Sequence, residues 1–389
     1  MKQYLSYFVT HFGITPTLIG YTLLCMLITF ILTATFGPAI APQNKSTDKH
    51  PILNNINFLK ILLTYYIILH HEYQVLGWTN DAQYSVEGFF IISGFMLSYA
   101  YTPQKNTIEF ITHKLIRFTP YMLLASLLEL YNHYSFNPTQ FLSGIGMFAY
   151  TGLYPKPTLY GPSWYIIVLF WVALFYFVLL KNCSKNICNI IFGLITFATL
   201  SATHNISPLL LPQEAPNQYI PLLTNGFVRG LGCIGLGYFL AETYTAPNSK
   251  PNKISKLFYT LVEAFLLIYL AYAFFKQNYI TSRCVILISF AILIWSFVHQ
   301  KGYLSQGLEK IKWQPLINYT LPIYMTHWSL CRVQALSQLW AEIAPLPRIC
   351  LTIVISTILG IIAYQTIDLA YAYSQKKYHK TKLKRQKKK

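Results

Sequence analysis

From Thr17 to Phe36 the chain is apolar for twenty residues, and similar runs recur near 57–73, 85–101, 117–131, 163–180, 187–203, 219–241, 257–275, 284–299, 316–338 and 349–373. A helix rising 1.5 Å per residue needs about 20 such residues to cross the roughly 30 Å hydrocarbon layer. The pattern therefore predicts an all-α fold, a polytopic membrane helical bundle with about ten core transmembrane helices plus one extra N-terminal span. The first run ends in GPAIAP, and Ala39-Ile40-Ala41 mimics a signal-peptidase site. Residues 1–16 carry only Lys2 as a basic residue, and the run is longer than an ordinary signal core, so an uncleaved span is expected. The stretch 141–152, FLSGIGMFAYTG, is short and glycine-rich and is not expected to cross.

Loop charges orient the spans. If 141–152 does not cross, alternate loops hold Lys45 and Lys49, Lys105 and Lys114, Lys181 and Lys185, Lys250, Lys253 and Lys256, Lys301, Lys310 and Lys312, and the basic C-terminus. The opposite loops hold only Lys156, Lys276, Arg283 and Arg348. Positively charged loops stay in the cytoplasm, which predicts eleven spans, an outside N-terminus and a cytoplasmic C-terminus. The expected divisions are residues 1–50 (extra span and loop), 51–373 (membrane domain) and 374–389 (basic tail).

Composition narrows the class. Only 11% of residues are charged and 54% are hydrophobic, against about 25% charged in soluble proteins. The net charge of +18 does not point to nucleic acid, because nine of the thirty Lys and Arg residues lie in the tail KKYHKTKLKRQKKK. Basic loops and tails of this kind set topology and meet anionic lipids of the bilayer. The seven cysteines form no CxxC pair, so neither a disulfide framework nor a metal site is expected.

Ionisable residues inside spans are costly and mark function. In NFLKILLTYYIILHHE, Lys60 and His71 stand eleven residues apart, about 16 Å along a helix. Alternating span directions place His71, Glu87 and His327 in one outer layer, and Lys60 and Arg117 in a second layer at the cytoplasmic face. Arg229 falls mid-membrane, with either Glu129 or a substrate as its partner. A histidine can take a proton from a hydroxyl, a carboxylate can orient the imidazole, and cations can hold the phosphates of an anionic donor. Proton-coupled transporters use the same residue types, so spacing leaves both classes open.

Five motifs in order resemble the membrane acyltransferase-3 family, over about residues 52–372. Lys60 and His71 are similar to its Arg/Lys-x10-His signature. Glu87-Gly88-Phe89-Phe90-Ile91-Ile92-Ser93-Gly94-Phe95 resembles its acidic-Phe-Phe-Ser-Gly-Phe stretch. HKLIRFTPYML resembles its Arg-Pro element at Arg117 and Pro120, Pro162-Ser163-Trp164 its Pro-Ser-Trp element, and PIYMTHW its late Tyr-His element at Tyr324 and His327. The resemblance implies a membrane O-acyltransferase that takes an acyl group, here expected to be acetyl, from acyl-CoA at the cytoplasmic face. The implied acceptor is a hydroxyl of a cell-surface or lipid-linked saccharide, with His71 as the base. Leu169 stands where the family often has Glu, Lys60 where Arg is common, and Phe118 where an aliphatic residue is usual. A succinyl group, another acceptor, or a transporter without covalent chemistry are the competing readings.

Each candidate also has a plainer role. Glu87 is read as orienting His71 or as capping its helix; Arg117 as binding donor phosphate or as anchoring topology. Ser93 and Gly94 are read as close-packing residues. Trp164 and Tyr324 are read as packing aromatics or as a sugar-stacking surface, and Arg229 as a substrate contact or a buried pair. His70 points about 100° away from His71 and is read as structural or interfacial, and Glu72 as lying near the outer interface, either solvated there or functional. His11, His50, His204 and His379 are read as loop or tail residues.

Overall fold

The computed structural model describes residues 16–40, 52–132, 137–151, 158–205, 224–244, 252–276, 282–336 and 343–386. His11 and His50, Lys2, Lys45, Lys49, Lys156 and Lys250, and the side chains of His204 and His379, lie outside the described residues. Thirteen α-helices make up the described chain: α1 (Pro16–Ile40), α2 (Asn54–Val75), α3 (Ser85–Tyr99), α4 (Thr107–Glu129), α5 (Pro138–Ile145), α6 (Trp164–Asn182), α7 (Lys185–Asn205), α8 (Asn225–Glu242), α9 (Lys253–Phe275), α10 (Arg283–Val298), α11 (Tyr303–Glu309), α12 (Gln314–Leu336) and α13 (Pro345–Gln386). Each of the eleven expected runs overlaps a helix, with 219–223 and 337–338 outside the described residues, and the described chain is all-α as expected.

Length and composition alone single out five membrane-crossing helices, or six if α10 and α11, bent by 64° at their break, form one span. The helices that miss the criterion include α2, α3, α4, α8 and α12. These carry Lys60, Glu87, Arg117, Arg229 and Arg332. They sit inside the bundle, α2 against α12 and α3, and α3 against α8. More apolar helices lie outside them, with only 17% of the α7 span buried. Polar groups are thus turned inward and apolar surface outward, as lipid demands.

Two helix ends differ from expectation. The span at 117–131 begins ten residues earlier, at Thr107, because Asn106 and Glu109 form a capping box. Asn106 Oδ1 accepts from Ile108 N at 3.1 Å and Glu109 Oε2 from Asn106 N at 3.3 Å. Arg117 is therefore about 15 Å along α4 rather than at its entry. Helix α13 runs to Gln386, through the expected boundary at 373/374.

The α3–α8 crossing sets the site. A Cβ on Gly94 would overlap the Ile234 carbonyl oxygen, and one on Gly237 the Ile91 carbonyl oxygen. Only glycine permits this approach of backbones. Glu87 and Arg229 lie about two turns back from the crossing on their respective helices, which brings them together.

Helix α5 has eight residues, about 12 Å, too short to cross. After it, Met147 and Tyr150 adopt φ near 61°. Trp171 Nε1 donates to Met147 O at 2.6 Å and Thr224 Oγ1 to Tyr150 O at 3.1 Å. Non-helical backbone at membrane depth is tolerated where protein satisfies it in this way. Helix α1 packs on α4 and α13: Cys25 and Met26 are buried against Leu124, Leu128 and Ala363, and Tyr21 Oη donates to Leu127 O at 2.6 Å.

Reporters test the orientation. Fused after Lys389, a reporter is expected to read cytoplasm, and at residue 2 the outside; insertions at 136 and 158 are expected to agree with each other. Opposite readings at 136 and 158 would make 141–152 a crossing and reverse every depth after it.

Candidate active site

Two imidazoles from different helices meet. The rings of His71 on α2 and His327 on α12 lie 5.1 Å apart, and Trp328 stands edge-on to His71 at 4.7 Å. His71 Nδ1 is 3.0 Å from Gln74 Oε1. An amide oxygen only accepts, so it fixes the proton on Nδ1 and leaves a lone pair on Nε2. His327 is fully buried, with Nδ1 donating to Tyr324 O at 2.7 Å. Its Nε2 is therefore an acceptor, and among the described residues it has no hydrogen-bond partner. An orphaned buried acceptor beside a half-buried imidazole marks a place for a substrate donor.

Glu87 does not orient His71. Arg229 takes both carboxylate oxygens, Nε to Oε1 at 2.7 Å and Nη2 to Oε2 at 3.0 Å, and Arg283 Nη2 lies 3.5 Å from Oε1. Arg229 in turn lies over the Trp164 ring at 4.8 Å. A bidentate buried pair of this kind directs the Glu87 carboxylate at the guanidinium, and among the described residues it makes no hydrogen bond to the His71 imidazole. Arg229 does not pair with Glu129, which accepts from Arg332 Nη1 at 2.9 Å and Ser329 Oγ at 2.8 Å. Glu72 is fully buried and paired with Arg348 at 3.2 Å, not solvated at an interface. His70 is 3.0 Å from Asn80 Oδ1, in a structural contact distinct from that of His71.

A cavity of about 300 Å³ is lined by Tyr324, the ring neighbour of His327, though by neither imidazole. Lys60, Lys105, Lys114 and Arg117 line it together with His113, and among the described residues no carboxylate does. Lys60, Lys114 and Arg117 have no ion-pair partner among the described residues. The walls are apolar, including Phe89, Met96, Phe110, Leu169 and Phe177. Leu169, at the position where a Glu was noted as common, keeps that wall uncharged. At the other end stands Tyr324, whose ring is 5.7 Å from His327. Tyr324 Oη donates to Pro162 O at 2.5 Å, and Tyr160 Oη donates to Tyr324 O at 2.6 Å. The PSW and PIYMTHW segments are thereby joined.

The family model described as an acyltransferase domain, that of acyltransferase-3, matches residues 53–365, well over half of the chain. The chain belongs to the acyltransferase-3 family. It is an acyltransferase, transferring groups other than aminoacyl groups. The comparisons with curated proteins and with solved structures give no match. Helix α1 precedes the matched region of the acyltransferase.

The structure thus gathers His71 with His327, and Lys60 with Arg117, while Glu87, Arg229 and Trp164 form a separate cluster that among the described residues makes no hydrogen bond to either set. Sequence reasoning missed Gln74, Trp328, Lys114 and the lining role of Lys105 and His113. Two of these carried a signal: Gln74 is three residues after His71, and Lys114 three before Arg117, spacing that shares a helix face.

Proposed function

We propose that this acyltransferase moves an acetyl group from acetyl-CoA to a hydroxyl of a cell-surface or lipid-linked saccharide, in the bacterial inner membrane with its C-terminus in the cytoplasm. The observation that carries the reading is a cation-lined cavity, without a carboxylate among the described residues, that ends at Tyr324, the ring neighbour of His327 in the His71–His327 pair. Lys60 and Arg117 attract phosphate oxygens by charge-assisted hydrogen bonds. The apolar wall accepts the pantetheine arm, and the distance from Lys60 to His71, about 16 Å of helix rise, suits a long thin donor.

His71 Nε2 removes the proton of the acceptor hydroxyl. The oxygen forms its bond to the thioester carbonyl carbon, the C–S bond breaks, and the thiolate leaves with the proton that His71 held. His327 Nε2 accepts a hydrogen bond from the acceptor. Trp328 beside His71 offers a ring face to the sugar. In this scheme Glu87, Arg229 and Trp164 act by holding α3 and α8 in place.

Charge at the donor end is testable. Lys60→Ala and Arg117→Gln are each expected to weaken acetyl-CoA binding about tenfold or more, since hydrogen bonds to charged groups are worth roughly 1.5–3 kcal/mol. Lys60→Arg is expected to be milder. Direct binding of labelled acetyl-CoA to purified protein measures this, and parental affinity in both normally folded variants would remove the pair from the donor site.

A further inference from the structure

A second cavity, of about 340 Å³, shares Lys60, Arg117, Ile317 and Leu321 with the first and so meets it at the two cations. Its chemistry is different. The side-chain amides of Asn57 on α2 and Gln314 and Asn318 on α12 line it, with the phenols of Tyr121 and Tyr364. No side-chain amide lines the first cavity. The hydrogen-bond network among the described residues engages none of these three amides or two phenols. The side chains of Asn57 and Tyr121 are buried without a hydrogen-bond partner among the described residues, as groups that a ligand satisfies would be, while Gln314 and Asn318 are exposed beside them.

Amides donate and accept in one plane, and they match the adjacent donor and acceptor on the edge of a purine. Tyrosine faces stack on a flat heterocycle. We propose that this second cavity is a nucleoside subsite, in which Asn57, Gln314 and Asn318 bind the edge of an adenine while Lys60 and Arg117 at the junction hold the adjoining diphosphate. The inference rests on the acetyl-CoA reading above and assigns the two ends of that donor. The base enters the amide-lined branch, and the thioester arm enters the apolar branch that leads to Tyr324 and His327. The alternative, with the base in the first cavity, would offer its edge single hydroxyls such as Thr64, Ser93 and Thr320 and the His113 imidazole among apolar side chains and cations, but no side-chain amide with its planar donor–acceptor pair.

The test compares acetyl-CoA with acetyl-phosphopantetheine, which keeps the thioester arm and its first phosphate but lacks the second phosphate and the 3′-phosphorylated nucleoside, so the amide variants, not the parent's preference alone, report on the base. Binding of each is measured with purified full-length protein, for the parent, Asn318→Leu, Gln314→Leu and Lys60→Ala. Asn318 and Gln314 are exposed to the cavity mouth, so these substitutions leave the packed core intact. The parent is expected to favour acetyl-CoA by tenfold or more. Asn318→Leu and Gln314→Leu are expected to weaken acetyl-CoA roughly five- to tenfold each, the scale of a lost neutral hydrogen bond with its partner left unpaired, and to leave acetyl-phosphopantetheine unchanged. Lys60→Ala is expected to weaken both. Equal affinity of the parent for the two donors, or equal losses for both donors in the amide variants, would overturn the nucleoside subsite. If the parent bound neither donor, the acetyl-CoA reading itself would fall, a result distinct from either of those.

Discussion

Replacing His71 with alanine is expected to lower acyl transfer by about 10²–10⁴-fold, the usual contribution of a positioned general base, with little change in the amount of folded protein. His71 is only half-buried, and among the described residues its one polar partner is Gln74, a residue on the same helix. Its loss therefore strands no distant group. His70→Ala provides the contrast. His70 is buried and holds Asn80, itself fully buried, so that change leaves an unsatisfied amide costing about 1–3 kcal/mol. It is expected to reduce folded protein while sparing turnover per molecule. The assay is transfer from labelled acetyl-CoA in membranes, normalised to protein level. A His71→Ala protein that transfers at the parental rate would end the base assignment. An inactive but well-folded His70→Ala would move the chemistry to the neighbouring histidine. Gln74→Leu provides a third comparison: it frees the Nδ1 proton, and turnover is expected to fall by less than in His71→Ala because Nε2 survives.

Helices were legible in the sequence because lipid imposes a single local rule, a run of apolar residues long enough to cross. The site helices were visible as runs but fall short of a strict span criterion, because α2, α4 and α12 carry the cations and imidazoles that function needs, and enclosure by α1, α7, α9 and α13 makes them tolerable in a membrane. The layers of the site were half legible. Depth along a helix follows from residue counting, so His71 and His327 could be placed at one level, and their rings do meet. Direction around a helix, and which helices adjoin, do not follow from counting. Glu87 shares the depth of His71, yet its carboxylate turns to Arg229, 142 positions away in sequence. That choice is made by Gly94 and Gly237, which let α3 and α8 approach until a bidentate contact forms.

The start of α4 was legible and overlooked. Asn106-x-x-Glu109 is a capping-box pattern, and reading it would have moved Arg117 from the membrane face to mid-helix. The pairs Glu72–Arg348 and Glu129–Arg332 were not legible, since each joins residues more than 200 positions apart. Nothing local to Glu72 distinguishes a solvated carboxylate from one that α13 neutralises.

Removing the Glu87 carboxylate is expected to unfold the α3–α8 unit rather than to slow catalysis selectively. Breaking one side of a buried pair costs about 3–5 kcal/mol, because the other charge is left without compensation in a low-dielectric interior. Arg229 is 6% exposed and Glu87 1%. Arg229 lies over Trp164, and that ring attraction does not replace a bidentate carboxylate. Glu87→Ala and Arg229→Ala are therefore each expected to reduce folded, monodisperse protein severely, as read by size-exclusion after heating in detergent. Glu87→Gln keeps the shape and some hydrogen bonding, and is expected to fall between. Pairing Glu87→Gln with Arg229→Gln removes both charges, and the double variant is expected to be less destabilised than the sum of the singles, the coupling that a double-mutant cycle isolates. If Glu87 instead oriented His71, Glu87→Gln would give normal thermal stability with turnover reduced nearly as far as in His71→Ala, and the Arg229 variant would leave that effect unchanged. Stability and turnover measured on the same preparations thus separate a residue that holds two helices together from one that acts on the imidazole.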